Sequence, residues 1–310
     1  MINSRLQKLL KEKGLDNMIS FLSEEITESE LNTLLLHVFN KRSKDLRSKE
    51  VMKNYRENRF VIPSKIDLLE NAFLELTMLQ IAKEKGFRIM EFSPLAPFGT
   101  CSIHQNVHQN KVVSSTRRTE VVSDITNVMA LEVAESIRQD PRVDAFNLAT
   151  VHRQVRGQGF DNPKYSAHFR VMAMASSWLD KGNYHQESIY LKNHIDFYLQ
   201  IFEEVYHIQK EDLVITLELS SSEYSELTQL EEKFRESYDQ LQVKKNDQLD
   251  SSSGYYSLLR FGIKIKDLPY LLVDGGTVNW MQKMTQNKKR RLLISGIGTE
   301  LMYKIVVNAL

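Results

Sequence analysis

The chain has little of what usually declares a function. It has one cysteine, Cys101, among 310 residues. That excludes an internal disulfide framework and fits a reducing compartment. No window approaches eighteen uninterrupted apolar residues, so no membrane-spanning helix is expected. Met1-Ile2-Asn3-Ser4-Arg5 leads into a charged amphipathic stretch without an apolar h-region, which argues against a secretory signal. Excess charge is also missing. Lys and Arg number 41 against 40 Asp and Glu, a net +1. No global field favours nucleic acid, and a local patch would be needed. With 42% hydrophobic and 26% charged residues, the composition is that of an ordinary globular protein. The expectation is a cytoplasmic protein with no membrane association, long enough for one large domain or two smaller ones.

The first 60 residues read as helices. Leu6, Leu9 and Leu10 share one face, as do Leu31, Leu34, Leu35 and Val38. Thr27-Glu28-Ser29-Glu30 has the form of a helix start, and residues 41–59 read as one solvated, charged helix. Val61-Ile62-Pro63-Ser64 breaks the pattern, which divides the chain into an N-terminal helical segment, 1–62, and a core, 63–310. The core opens with a helix placing Leu68, Leu69, Ala72, Phe73, Leu76 and Leu79 at helical spacing, stopped at Lys85-Gly86. A strand over 87–92, an irregular stretch 93–99, a strand over 111–116 and a helix over 124–138 capped by Ser123 or Asp124 follow. Residues 146–155 and 168–175 read as antiparallel strands around a polar loop, 157–167. Further on come a helix over 187–206, a strand over 213–219, a charged helix over 223–241 and a serine-rich linker over 244–253. Strands over 255–265 and 270–273, a helix near Trp280 and a strand over 291–295 entering a last helix complete the reading. There is no internal repeat. Antiparallel strands with helices clustered between them define an α+β class, an antiparallel sheet flanked by helices.

Two segments stand out for chemistry. His152-Arg153-Gln154-Val155-Arg156-Gly157-Gln158 places two arginines three residues apart at a strand end, which suits a phosphate or carboxylate. Gly296-Ile297-Gly298-Thr299-Glu300-Leu301-Met302 ends a strand in a Gly-x-Gly step and opens a helix, where backbone can approach a ligand closely. Thr116-Arg117-Arg118-Thr119-Glu120 leads into a polar strand-to-helix junction with Asn110, Asp124 and Asn127. Tyr255-Tyr256-Ser257 and Asp274-Gly275-Gly276 lie between. Cys101, His104 and His108 are possible metal ligands, but no second cysteine or His-Glu-x-x-His arrangement joins them, so no metal site is expected. Lys288-Lys289-Arg290-Arg291 reads as a solvated strand edge.

In this order, these segments resemble the nucleotide-binding motifs of class II aminoacyl-tRNA synthetases, the histidyl branch above all, over about residues 65–310. Arg153, Arg156 and Gln158 match the Phe-Arg-x-Glu-Arg-x-Gln strand of motif 2, with Val155 where the family has glutamate and His168-Phe169 where it has Gln-Phe. Arg118 and Glu120 match a Thr-x-Arg-Pro-Glu segment that lacks its proline here, and Val122 stands where the family has threonine. Gly296, Gly298 and Glu300 belong to the motif 3 counterpart, in which Leu301 replaces the adenine-stacking arginine. Ser251 stands where the histidyl motif around Tyr255 and Tyr256 has its catalytic arginine, and a hydroxyl cannot replace a bidentate guanidinium.

The resemblance implies nucleotide or carboxylate contacts from Arg153, Arg156, Gln158, Arg118, Gly296, Gly298 and Glu300. It implies amino-acid contacts from Glu120, His168, Tyr255 and Tyr256. ATP and Mg2+ are the implied cofactors and a homodimer the implied state. The chain ends one helix after motif 3 with no anticodon-binding domain, so tRNA is not expected as a partner. The expected function is that of a synthetase-like paralogue binding an amino acid or related small carboxylate without tRNA charging, in a regulatory or metabolite-binding role. The alternative is an ATP-dependent adenylating ligase with a non-tRNA acceptor, with Lys111, Arg117 and Arg170 as candidates to substitute for the lost cations.

Overall fold

The computed structural model describes residues 4–105, 108–159, 165–251 and 254–307. The first three residues, the middle of the polar loop and the last two serines of the expected linker therefore lie outside the described residues. The N-terminal segment is helical: α1 (Ser4–Glu12), α2 (Met18–Ser20) with a π-helical turn to Glu25, α3 (Glu28–Lys44) and α4 (Ser48–Glu57). A capping box starts α3, in which the Thr27 side chain accepts from Glu30 N and the Glu30 carboxylate accepts from Thr27 N. That exchange satisfies two of the amides every helix start leaves open. Residues 41–59 form two helices, because the turn Asp45-Leu46-Arg47 separates α3 from α4. None of α1 to α4 buries a residue.

The core begins with α5 (Leu68–Glu84), capped by Asp67 and ended at Gly86 with φ +85°. In order, β1 (Arg88–Ile89), β2 (Leu95–Pro97), α6 (Thr100–Gln105), β3 (Thr119–Val121), α7 (Ile125–Gln139), β4 (Ala145–Val155), β5 (His168–Leu179) and α8 (His185–Glu204) follow. Then come β6 (Leu213–Ser220), α9 (Tyr224–Ser237), β7 (Leu241–Asn246), β8 (Ser257–Ile265), β9 (Val273–Val278), α10 (Trp280–Thr285), β10 (Arg290–Gly298) and α11 (Thr299–Met302). Eight strands make one sheet in the order β1-β4-β5-β10-β9-β8-β6-β7. Its two outer pairs, β1–β4 and β6–β7, are parallel and the rest antiparallel. The expected α+β class with a largely antiparallel sheet is what the chain adopts.

The pleat divides the core in two. Ala149, Val151, Met172, Met174, Leu293 and Ile297 face a large cluster with helix residues such as Met78, Ile195 and Phe202. Leu148, Ala173, Ala175, Leu292 and Ile294 face a second cluster with Ile125, Met129, Trp280 and Met281. Alternate residues of each strand thus serve opposite helical layers.

Local departures have physical causes. Residues 111–116 are no strand: Gln109–Lys111 is a 3₁₀ turn, one bridge pairs Ser114 with Glu120, and the chain reverses through Arg117 and Arg118 at φ 64° and 57°. The expected linker begins as β7, which sits parallel on β6 with its lysines in the exposed register positions of a sheet edge; charge there discourages further pairing. Leu95–Pro97, inside the stretch expected to be irregular, pairs with β3. The strand expected over 270–273 begins only at Val273 and runs through both glycines of Asp274-Gly275-Gly276. A Cβ on Gly276 would sit 2.6 Å from the Leu259 carbonyl and 2.7 Å from the Tyr256 ring, so only glycine admits those neighbours. Finally, β10 is central rather than an edge. Arg290 is buried and donates to the Asp144 carbonyl at 2.8 Å, and Arg291 reaches Asp180 at 2.5 Å.

Candidate functional site

A cavity of about 590 Å³ opens beside the start of α7, at the ends of β4, β5 and β10. Its walls come from the β3–α7 junction (Ser123, Asp124, Thr126), the end of β4 (Gln154, Arg156) and β5 (Phe169, Val171). Tyr255, Tyr256, Asp274, Gly296, Leu301 and Lys304 complete it, with Lys111 and Cys101 also contributing. The junction is built by Asp124, whose carboxylate caps α7 by accepting from Thr126 N (3.0 Å) and Thr126 Oγ1 (2.7 Å) and also accepts from the Tyr255 hydroxyl at 3.0 Å. Tyr255 packs edge-on against Tyr256, ring centroids 4.6 Å apart, and against Trp280. Burial, helped by the neighbouring carboxylate, pushes both phenols well above their ordinary pKa, so they act as neutral donors. Burial also raises the Cys101 thiol to about 12, which leaves it without thiolate character near neutrality.

Strand parity separates the two arginines of this segment. Gln154 follows Leu148 onto the α7 face, and with its amide turned to satisfy both neighbours it donates to the Ser123 carbonyl (3.1 Å) and accepts from Ile125 N (3.2 Å). Arg156 lies two residues further on. Its Nε donates to the same carbonyl at 3.1 Å and its guanidinium rests 5.2 Å from the centre of the Phe169 ring. Its two Nη groups have no partner among the described residues. Lys111 is brought alongside because Gly157 N donates to the Lys111 carbonyl at 2.8 Å.

Arg153 follows Ala149 and Val151 to the opposite face. There it meets the buried Glu300 carboxylate at 2.5 Å, the Ser64 hydroxyl at 3.2 Å and His168 Nδ1 at 2.7 Å. It is not part of the cavity lining. His168 is likewise outside, its Nε2 on the Ile62 carbonyl at 2.7 Å. Arg170 lines the cavity but is held by Glu75 through its Nε and Nη2, all at 2.8–2.9 Å, and Glu75 also accepts from Thr299 Oγ1 at 2.6 Å. Glu120 is 1% exposed and its carboxylate accepts from Gly99 N, Cys101 N and Gln109 Nε2 at 2.9–3.0 Å, so it caps α6 instead of facing the cavity. Arg118 pairs with Glu28 of α3, and Arg117 N donates to the Asn32 side chain at 2.7 Å. Gln158, Gly296, Gly298 and Glu300 line the cavity, as do Tyr255 and Tyr256. Ser251 is exposed and outside it.

The structure therefore brings together Arg156, Gln158, Gly296, Gly298, Glu300, Tyr255 and Tyr256; Arg118, Glu120 and His168 are outside the lining, and Arg153 reaches it only through its ion pair with Glu300. Gln154, Ser123, Thr126, Asp274 and Lys304 enter the site without having been singled out as ligand contacts. Parity counted outward from Leu148 would have selected Gln154 over Arg153. Of the positions expected to hold ATP, Arg153 is paired with Glu300 and Leu301 stands at the motif 3 position. Among the described residues no three His, Cys, Asp or Glu side chains converge as a metal site. Cys101 accepts from Ser123 Oγ, His104 stacks on Trp280, and His108 accepts from Asn110 N.

No protein-family model and no curated protein matches the sequence. Solved structures do match in fold. An ATP phosphoribosyltransferase regulatory subunit/histidyl-tRNA synthetase from Bacillus halodurans C is 11% identical, with TM-score 0.61 over 81% of this chain and 83% of that one. Histidyl-tRNA synthetase from Nostoc sp. PCC 7120 is 12% identical, with TM-score 0.61 over 81% and 75%. The apo S. aureus histidyl-tRNA synthetase is 11% identical, with TM-score 0.55 over 78% and 69%. The chain has the fold of a class II synthetase core of the histidyl kind. Among the described residues no helix is long and apolar enough to cross a membrane.

Proposed function

We propose that the cavity binds an amino acid or related small carboxylate without activating it, and that the protein is a regulatory, non-charging paralogue of the synthetase core acting in the cytoplasm. One observation carries this reading. Arg156 is held from below by the Ser123 carbonyl and the Phe169 ring while its Nη groups stay open to the cavity beside Lys111. A pre-oriented guanidinium of this kind binds a carboxylate through two parallel hydrogen bonds. Adenylation would require cations on the transferring phosphoryl group, and the positions that supply them in the family hold Leu301, Ser251 and the Glu300-paired Arg153. The likeness to a regulatory subunit supports the same reading. A second copy of the chain, packed on the exposed apolar face of α5, is the partner this reading favours.

The test is calorimetric titration of the twenty amino acids and a set of small carboxylates, with and without ATP, on wild type, Arg156→Ala and Arg156→Lys. The expected result is saturable binding of one ligand class, independent of ATP, weakened at least tenfold in Arg156→Ala and less in Arg156→Lys; a charge-assisted pair is worth about 1.5–3 kcal/mol. Equal binding in all three proteins would refute the assignment. Amino-acid-dependent pyrophosphate exchange would replace it with an adenylating ligase.

A further inference from the structure

Charge in this chain is segregated in a way that its near-zero total conceals. Residues 41–59 contain eight Lys or Arg against three Asp or Glu, a net +5, so the remainder of the chain sums to −4. These residues form the last turn of α3, the turn after it, and α4, and every one from Lys41 to Glu57 is exposed. Arg47 pairs with Glu50, and Arg59 is tied to the Gly157 and Gln158 carbonyls. Lys41, Arg42, Lys44, Lys49, Lys53 and Arg56 form no ion pair with any described residue.

Local helix chemistry accounts for only half of them. Lys41, Arg42 and Lys44 lie in the last turn of α3, where cations complement the helix dipole. Lys49 lies in the first turn of α4, where a cation opposes it, and Lys53 is mid-helix. Lys49, Lys53 and Arg56 are spaced i, i+4, i+7, one face of a helix, and rise about 10 Å along its axis. A duplex presents about six phosphates over that length. The same helix offers Asn54 and Tyr55 as hydrogen-bonding groups and only Val51 and Met52 as aliphatic ones. That apolar face is too small to drive insertion into a bilayer.

We propose that α4 and the end of α3 form a binding surface for the phosphate backbone of a nucleic-acid duplex. The surface is separate from the cavity: none of its cations lines it. Recognition is electrostatic and reads phosphate, since nothing in α4 fixes a base-reading side chain.

The experiment is fluorescence anisotropy of a labelled duplex of about 24 base pairs, as DNA and as RNA, titrated with the full chain at two salt concentrations. It compares wild type with Lys49→Glu/Lys53→Glu/Arg56→Glu and with Lys288→Glu/Lys289→Glu, a control at another basic cluster. Wild type is expected to bind and to lose affinity steeply as salt rises. The α4 variant should bind at least tenfold more weakly, with its log–log salt slope reduced by about 2–3, near 0.9 for each phosphate contact removed. The control should bind as wild type does. The altered side chains of α4 form no ion pair with any described residue, and circular dichroism checks that helix content is kept in both variants. Absence of wild-type binding at low salt, an unchanged α4 variant, or binding only to phosphatidylserine vesicles would each overturn the proposal.

Discussion

Arg153 and Glu300 form an ion pair, Nη2 to Oε1 at 2.5 Å, with the Glu300 side chain 1% exposed and that of Arg153 36% exposed. The carboxylate also accepts from Ser64 Oγ at 2.9 Å, so the pair pins the start of α11 to the segment leading into α5. Removing the cation leaves a buried carboxylate short of a partner. Such losses cost about 3–5 kcal/mol when both ions are buried, and the exposure of Arg153 brings the expectation down to about 2 kcal/mol. Urea denaturation of Arg153→Ala should show that loss while calorimetry shows ligand affinity within about twofold of wild type. Lost affinity at full stability would return Arg153 to the ligand site.

Glu120 makes the opposite case to its family counterpart. Its carboxylate answers two backbone amides at the start of α6 and the Gln109 amide. Hydrogen bonds to a charged group are worth about 1.5–3 kcal/mol each, and an orphaned buried donor costs about 1–3. Glu120→Ala should therefore destabilise the protein by about 3 kcal/mol, and Glu120→Gln by less, with neither changing affinity in the folded fraction. A variant of normal stability that no longer binds ligand would restore the ammonium-binding role.

Much of the architecture was legible because long strands and helices announce themselves by period. Residues 146–155 and 168–175 pair as their alternation indicates, and α7 starts at its Asp124 cap. Which face of β4 the motif's residues take was not read from the alternation. Similarity of residue pattern placed Arg153 as the clamp, yet a shift of one residue along a strand exchanges the two faces, and the hydrophobic neighbours Leu148 and Val151 already divide them. The partners of Glu120 and Arg118 were illegible for another reason. Gly99, Gln109 and Glu28 are brought to them by tertiary folding, and no local pattern encodes it.

His194 provides a pH test of the buried polar network. It is wholly buried in α8, its Nε2 2.9 Å from Ser176 Oγ and its Nδ1 2.7 Å from Ser295 Oγ, and burial depresses its pKa to about 3. The unfolded chain titrates near 6.5, so below that value it binds a proton the native state refuses. Stability from this group is complete above pH 6.5 and declines by about 1.4 kcal/mol per pH unit as pH falls towards 3. His194→Gln should be less stable than wild type at pH 7, and the gap should narrow by about 2 kcal/mol at pH 5. A gap independent of pH, followed by chemical denaturation, would mean that the fold does not depress the His194 pKa.

Helix α5 turns its apolar residues both ways. Met78, Ile81 and Ala82 enter the core, while Leu69 is 82% exposed and Phe73 70%, with Leu68 and Leu76 also exposed. Their spacing, i, i+1, i+5 and i+8 from Leu68, makes one continuous outer stripe. Isolated exposed leucines need no explanation, but a contiguous patch on a monomer is unusual and marks an interface. A two-fold axis lets the same patch cover itself in a second copy. The inner face of the same helix holds Arg170 and Thr299 through Glu75, so an outer contact would also steady the strand ends at the cavity. Light scattering on the full chain should therefore give a dimer for wild type and a monomer for Leu69→Glu/Phe73→Glu. The variant should lose little intrinsic stability, because both side chains are solvated in the single chain. A wild-type monomer at about 100 μM, ample for an interface of standard size, would exclude the dimer, and a variant that remains dimeric would move the interface to another face.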